Sequence, residues 1–244
     1  MSRFFAYGCS FTKYYYPTWA DIIIQESQEG YNYGKLGSGN QLIANRIWET
    51  HARKKFTKDD TIIIMWSNFF REDIYRNEWK TQGNIFFYRD DITVEDLPYY
   101  VYRDCNTIAS TLNGLQQTGA KVISTSINNP YTDTILLQYQ KIKNILEIYK
   151  EWTMPQIKTI SEYCYYPGVE NDKTRPTYMH EGKWITEDHP LPLEHLGFVE
   201  NVLGYRVSDK TKDFVQQYHL QLHTKETPTY DRIFETGETP NWIL

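Results

Sequence analysis

Four short stretches of this chain carry residue types that could cooperate in one reaction. Phe4-Phe5-Ala6-Tyr7-Gly8-Cys9-Ser10-Phe11-Thr12 is an apolar run long enough for one strand, ending in a small-residue turn with Ser10 near its tip. A Gly-rich turn follows between Gly34 and Asn40, and a second apolar run ends in Ser67-Asn68. Much later comes Asp188-His189-Pro190. A serine hydroxyl is a weak nucleophile and needs a base, a group that orients the base, and donors for the oxyanion that develops on attack. Ser, Gly, Asn and His, in that order, are the parts of such a hydrolytic site. The plain structural alternative for the first stretch is a strand-to-helix turn with Ser10 or Thr12 as an N-cap.

The elements that must position these residues are readable from periodicity. Arg3 to Tyr7 reads as a strand and Thr18 to Glu26 as a helix with Trp19, Ile22 and Ile23 inward. Gln41 to Lys54 carries Leu42, Ile43, Ile47 and Trp48 at helical spacing. Ile62-Ile63-Ile64-Met65 is the continuous apolar run of a buried parallel strand. Tyr99 to Thr118 predicts a helix closed by Gly119, Lys121 to Ile127 a strand, and Thr134 to Lys150 another helix. Alternation of this kind predicts an α/β fold, a central parallel sheet with helices on both faces. A serine directly after the first strand then lies at the carboxyl edge of the sheet, where open parallel sheets bind ligands. Residues 74–98 break the alternation and read as an insertion or lid. Residues 205–244 are polar, with few periodic apolar positions, and read as an irregular C-terminal extension to a domain spanning 1–204.

Composition narrows the function classes. The chain has 244 residues, 40% hydrophobic and 23% charged, which describes one ordinary globular domain with room for an appendage. Its net charge is −5 and its densest basic cluster is Arg53-Lys54-Lys55, so it lacks the basic face that nucleic acid requires. Cys9, Cys105 and Cys164 are widely spaced, without a Cys-x-x-Cys pair, which predicts neither a disulfide framework nor a zinc site and points to a reducing compartment. No signal peptide or membrane-length apolar run is present, so a cytoplasmic location is expected. The 21 Tyr and 7 Trp suit binding surfaces as well as packing.

Taken together, the four stretches resemble the blocks of the SGNH/GDSL hydrolase family, spread over about residues 3–203. Gly8-Cys9-Ser10-Phe11-Thr12 is similar to the block Gly-Asp-Ser-hydrophobic-Thr, with Cys9 in place of the Asp. The resemblance implies a three-layer, flavodoxin-like sandwich with Ser10 as nucleophile and its N–H as one oxyanion donor. Asn32 to Asn40 resembles the second block, which makes Gly37 a backbone oxyanion donor. Ile64-Met65-Trp66-Ser67-Asn68 resembles the third, with Trp66 where Gly is usual and Phe69 where Asp is usual; Asn68 would give the side-chain donor. Asp188 to His195 resembles the last block, and alignment on His-Pro makes His189 the general base. The family's acid, three residues upstream, falls on Thr186. Asp188 or Glu187 is then left to orient the imidazole, or the site runs as a Ser–His dyad, or His195 is the base with Asp188 as its partner. His189 with Asp188 is the preferred assignment.

The activity this implies is hydrolysis of a small acyl ester, such as an O-acetyl group on a glycan, without cofactor or metal and with a small-molecule or glycan ester as partner. Loops 74–98 and 165–185 would set specificity. His219 and His223, four apart, lack a third metal ligand nearby. Arg71, Glu72 and Asp73 read as solvated charges beside the pocket. A reading from another class is a catalytically decayed module that keeps the scaffold to bind a glycan or protein. A nucleotide-binding α/β protein is disfavoured, because neither a phosphate-loop nor a dinucleotide fingerprint is present.

Overall fold

The computed structural model describes residues 2–85, 90–164, 175–180 and 183–224. Strands β1 (Phe4–Tyr7), β2 (Gly30–Asn32), β3 (Thr61–Trp66) and β6 (Lys121–Ser126) form one sheet in the order β2-β1-β3-β6. Every pairing in it is parallel, with Phe5 opposite Ile62 and Ile62 opposite Val122. This is the doubly wound order in which the first strand lies between the second and third. All four residues of β1 and five of the six in β3 are buried, as strands covered on both faces must be.

Alternation of side chains divides the strands between two cores. Phe5, Tyr7, Ile62, Ile64 and Trp66 face helices α2 (Asn40–Lys54), α3 (Leu97–Gln116) and α4 (Gln140–Thr153) through Ile43, Ile47, Val101, Ile108 and Ile142. Phe4, Ala6, Ile63 and Met65 face the other way. They meet Trp19 and Ile22 of α1 (Trp19–Glu26), Ile160 of α5 (Ile160–Cys164), Phe198 and Val199 of α6 (Pro192–Asn201) and Val215 of α7 (Asp209–Thr224). Two helical layers around one parallel sheet make the three-layer α/β sandwich. Cys9, Cys105 and Cys164 are free and buried.

Three segments differ from the sequence reading. Residues 71–84, overlapping the expected lid, form an antiparallel hairpin of β4 (Arg71–Arg76) and β5 (Glu78–Asn84). The helix expected over 134–150 is split: a 3-10 turn at Leu136–Gln138 precedes α4, because Tyr139 is extended. The backbone N–H groups of Ile135 and Leu136 donate to the Asp133 carboxylate, which favours a local turn over a continuous helix. Within the expected irregular extension, 209–224 is helical and Val215 is fully buried; residues 225–244 lie outside the described residues. That helix escapes notice because its buried positions, Thr211 and Val215, are sparse among polar neighbours.

Candidate active site

The Ser10 loop begins where β1 ends. A side chain at Gly8 would collide with Thr12 Oγ1 and crowd the Met65 carbonyl, so the chain can turn there only without a Cβ. The N–H groups of Thr12 and Lys13 donate to the Cys9 carbonyl and close the turn beneath Ser10. Ser10 is 5% exposed. Its Oγ lies 3.0 Å from Nε2 of His189, a residue 179 positions later in the chain.

His189 follows an antiparallel hairpin, β7 (Thr177–His180) and β8 (Lys183–Thr186). Thr186, where the family pattern puts the acid, is the last residue of β8, and the carboxylates come one and two residues later. His189 Nδ1 is 2.8 Å from Glu187 Oε1 and 3.1 Å from Asp188 Oδ1. The two acids are not equivalent. Glu187 is fully buried, accepts the His189 backbone N–H as well, and receives the Tyr14 hydroxyl at 3.3 Å. The Asp188 side chain is 82% exposed. The shorter, doubly tied contact makes Glu187 the stronger restraint on the ring, and the sequence reading preferred Asp188.

Aromatic rings and one guanidinium complete the histidine's setting. Tyr14 stacks on the imidazole with centroids 4.1 Å apart and planes 24° from parallel, and Phe11 approaches at 5.1 Å. Arg175 donates to the carbonyls of Glu187 and His189 and forms a bidentate pair with Glu194, whose Oε2 also accepts the Leu191 N–H. The loop is therefore fixed from both ends. Burial of the ring opposes protonation, but the hydrogen bonds and charges of Asp188 and Glu187 outweigh it and lift His189 to about 9. The same bond to His189, acting against desolvation, holds the Asp188 carboxyl below the usual carboxylate range.

His195 has the opposite fate. It sits on α6, 1% exposed, with an Nδ1 that finds no partner among the described residues, and burial with the nearby His189 charge pushes it down to about 3. It is a neutral, packed ring, whereas His189 is the imidazole on Ser10.

Gly37 and Asn68 lie on two further segments, which follow β2 and β3. The Lys35 N–H donates to the Gly8 carbonyl and ties the Gly-rich turn to the serine loop. Asn32 Nδ2 donates to the Thr12 carbonyl and to Asp21, while its Oδ1 accepts the Gly34 N–H. Gly37 has φ +73, a conformation favouring glycine, and a Cβ there would press on Thr81 of the β4–β5 hairpin. Asn68 Oδ1 accepts the Phe70 N–H at 3.2 Å, and its amide NH2 is the donor end of the side chain.

These two segments are joined by a buried network that sequence reasoning missed. Asn40, fully buried at the start of α2, brackets Ser67 by accepting its N–H and donating to its carbonyl. The same Asn40 amide donates to Asp104 of α3, itself fully buried and held by Arg103. Asp73, read from the sequence as a solvated charge, is instead buried and accepts the N–H groups of Gly39 and Leu42 at the N-terminus of α2. Desolvation raises both acids, Asp104 to about 6. The separation of these residues along the chain left no local signal. Among the described residues, Glu187, Asp188 and His189 are the one group that could hold a metal ion, and both carboxylates already contact Nδ1 of His189.

A parallel sheet with helices on both faces is the arrangement that the SGNH/GDSL resemblance implies. Similar solved structures include a lipolytic protein of the G-D-S-L family from Desulfitobacterium hafniense and another from Veillonella parvula. Each shares 15% identity at a TM-score of 0.41, covering 90% and 92% of this chain and 98% and 100% of theirs. An acetylxylan esterase from Geobacillus stearothermophilus, as a catalytic mutant, matches 61% of this chain and 73% of its own, with 15% identity and a TM-score of 0.34. No protein-family model and no curated protein matches the chain. All three likenesses are distant, and what the site can do is read from its own atoms. No helix among the described residues is long and apolar enough to cross a membrane.

Proposed function

We propose that this protein is a serine ester hydrolase of SGNH type acting on a small acyl ester, with an O-acetyl group on a glycan as the favoured substrate. The observation that carries the reading is the 3.0 Å contact between Ser10 Oγ and His189 Nε2, with Nδ1 of the same ring held 2.8 Å from buried Glu187. A decayed binding module would have no reason to keep a nucleophile, a base and a base-orienting acid in line. Ser10 attacks the ester carbonyl and His189 takes its proton. The oxyanion is held by the N–H groups of Ser10 and Gly37 and by Asn68 Nδ2. His189 then protonates the departing alcohol, and water hydrolyses the acyl-enzyme by the same route reversed. Glu187 fixes the ring, with Asp188 a second, solvent-facing carboxylate. No metal or cofactor takes part in this scheme.

A base must be unprotonated to act. With its pKa near 9, His189 is charged at neutral pH in the resting site, so turnover should rise as pH climbs toward about 9. The test is labelling with a fluorophosphonate probe read by intact mass. One adduct on the wild type, absent in Ser10→Ala and slowed in His189→Ala, is the expected result. A folded wild type that takes no adduct would return the protein to the class of binding modules.

A further inference from the structure

Tyr14 touches the histidine and its buried acid, and the scheme above gives it no role. Its ring stacks on the His189 imidazole, with centroids 4.1 Å apart and planes 24° from parallel. Its hydroxyl donates to Glu187 Oε2 at 3.3 Å, while Oε1 of the same carboxylate accepts the His189 backbone N–H and lies 2.8 Å from Nδ1. Tyr14 is 5% exposed, and the rings of Tyr15 and Tyr16 meet it edge-on at 4.9 and 5.0 Å. The ring is thus held by its neighbours as well as by its hydroxyl, with one face turned to the imidazole.

We infer that the face of Tyr14 stabilises the charged form of His189, and with it the transition state in which Ser10 gives up its proton. Tyr14 is then a positioning residue that acts through the histidine. The inference rests on the serine-hydrolase reading. As Ser10 Oγ bonds the carbonyl carbon, its proton passes to Nε2 and the neutral ring becomes an imidazolium; that proton later leaves on the alcohol oxygen. The His189 side chain is 20% exposed, so water screens little of this charge. Glu187, Asp188 and Ser10 all meet the ring at its nitrogens, whereas Tyr14 covers a face. An aromatic face attracts a cation within about 6 Å of its centroid, most strongly where water is excluded. Phe11 lies farther off at 5.1 Å, tilted by 48°. An aliphatic side chain in place of Tyr14 would fill the space without a π face. The other charged or titratable groups near the ring are Arg175, paired with Glu194, and the neutral His195, and the variants below retain all of them.

The full chain is compared as wild type, Tyr14→Leu and Tyr14→Phe, by the rate at which a fluorophosphonate labels Ser10 between about pH 5 and about pH 10. Near the top of that range the resting ring is neutral and only the transition state carries the charge, so Tyr14→Leu should label about tenfold more slowly. Near the bottom the resting ring is already charged. The lost interaction then cancels between resting state and transition state, and the two proteins should label within about threefold of each other. The rising limb of Tyr14→Leu therefore moves to lower pH by about one unit. Tyr14→Phe keeps the face and should leave the limb in place. If Tyr14→Leu does not fold, Tyr14→Met, a flexible filler of the same space, carries the same expectation. A limb that stays in place in the folded aliphatic variant, with labelling lowered evenly or not at all, would overturn the inference and leave the hydrolase standing. So would a Tyr14→Phe limb displaced as far as that of Tyr14→Leu. Absence of label on the folded wild type would sink the hydrolase reading and this inference together.

Discussion

On one side of Ser10, three consecutive residues, Glu187 to His189, bring together an imidazole and two carboxylates, with the rings of Tyr14 and Phe11 packed on the imidazole. On the other side, the segments carrying Gly37 and Asn68 are held through Asn40, Asp73 and Asp104, with the Asn40–Asp104 bond spanning 64 positions. In the proposed mechanism the first region would move a proton and the second would hold fixed donors. A proton-transfer group can be tuned by short-range carboxylates and remain partly exposed. Oxyanion donors work only if they do not rearrange when charge appears, and that calls for buried, fully bonded supports. Failures on the two sides should therefore look different, in pH profile on one and in stability on the other.

The largest effect tests whether the two regions act on one nucleophile at all. Ser10→Ala and His189→Ala should each lower kcat by about 10⁶, and the double variant should be no worse than either. Additive losses in steady-state kinetics would mean that the contact is not catalytic. Glu187→Gln should cost about 10⁴ in kcat, as loss of a triad acid does, against less than about tenfold for Asp188→Asn. Removing Asp188 also takes away one of the carboxylates that raise His189, so the rising limb of the pH–rate profile should move to lower pH. Equal losses from both acid variants would erase the distinction between the buried and exposed acids. On the opposite side, Asn68→Ala should cost about 10²–10³ in kcat with the pH profile unmoved.

Smaller effects sharpen the contrast through stability. Asn40→Ala leaves the buried Ser67 N–H without its partner and takes one of two partners from Asp104, and should destabilise by about 1–3 kcal/mol in urea unfolding. The two histidines oppose each other with pH. His189 is raised on folding, so its contribution is complete below its unfolded value of about 6.5 and is lost as pH rises through about 9. His195 is depressed on folding, so stability falls as pH drops from about 6.5 toward about 3. Melting temperature against pH should lose part of its acid limb in His195→Gln and part of its alkaline limb in His189→Gln.

How much of this was legible in the sequence depends on the range of the contacts. The strands of the sheet could be read because buried parallel strands are continuous apolar runs, as in Ile62 to Met65. Ser10 and His189 could be singled out because each stands at the end of an element in an unusual local setting. Which of Glu187 and Asp188 faces inward could not, since adjacent residues after a strand point to opposite sides and only the tertiary structure decides which is covered. Asp73 looked solvated because its partners, the backbone N–H groups of Gly39 and Leu42, lie 31 or more positions away. Tyr14 among its Tyr neighbours gave no hint that its ring covers His189.

The 179-residue separation between Ser10 and His189 also sets an order of events during synthesis. On the proposed reading the nucleophile leaves the ribosome with the first strand, and the base follows, at about 5–20 residues per second, roughly 10–40 s later. Throughout that interval the nascent chain carries a serine with nothing to activate it. Reactivity would switch on only when the last quarter of the polypeptide docks, so an interrupted or truncated product would be chemically silent toward esters in the cell that makes it.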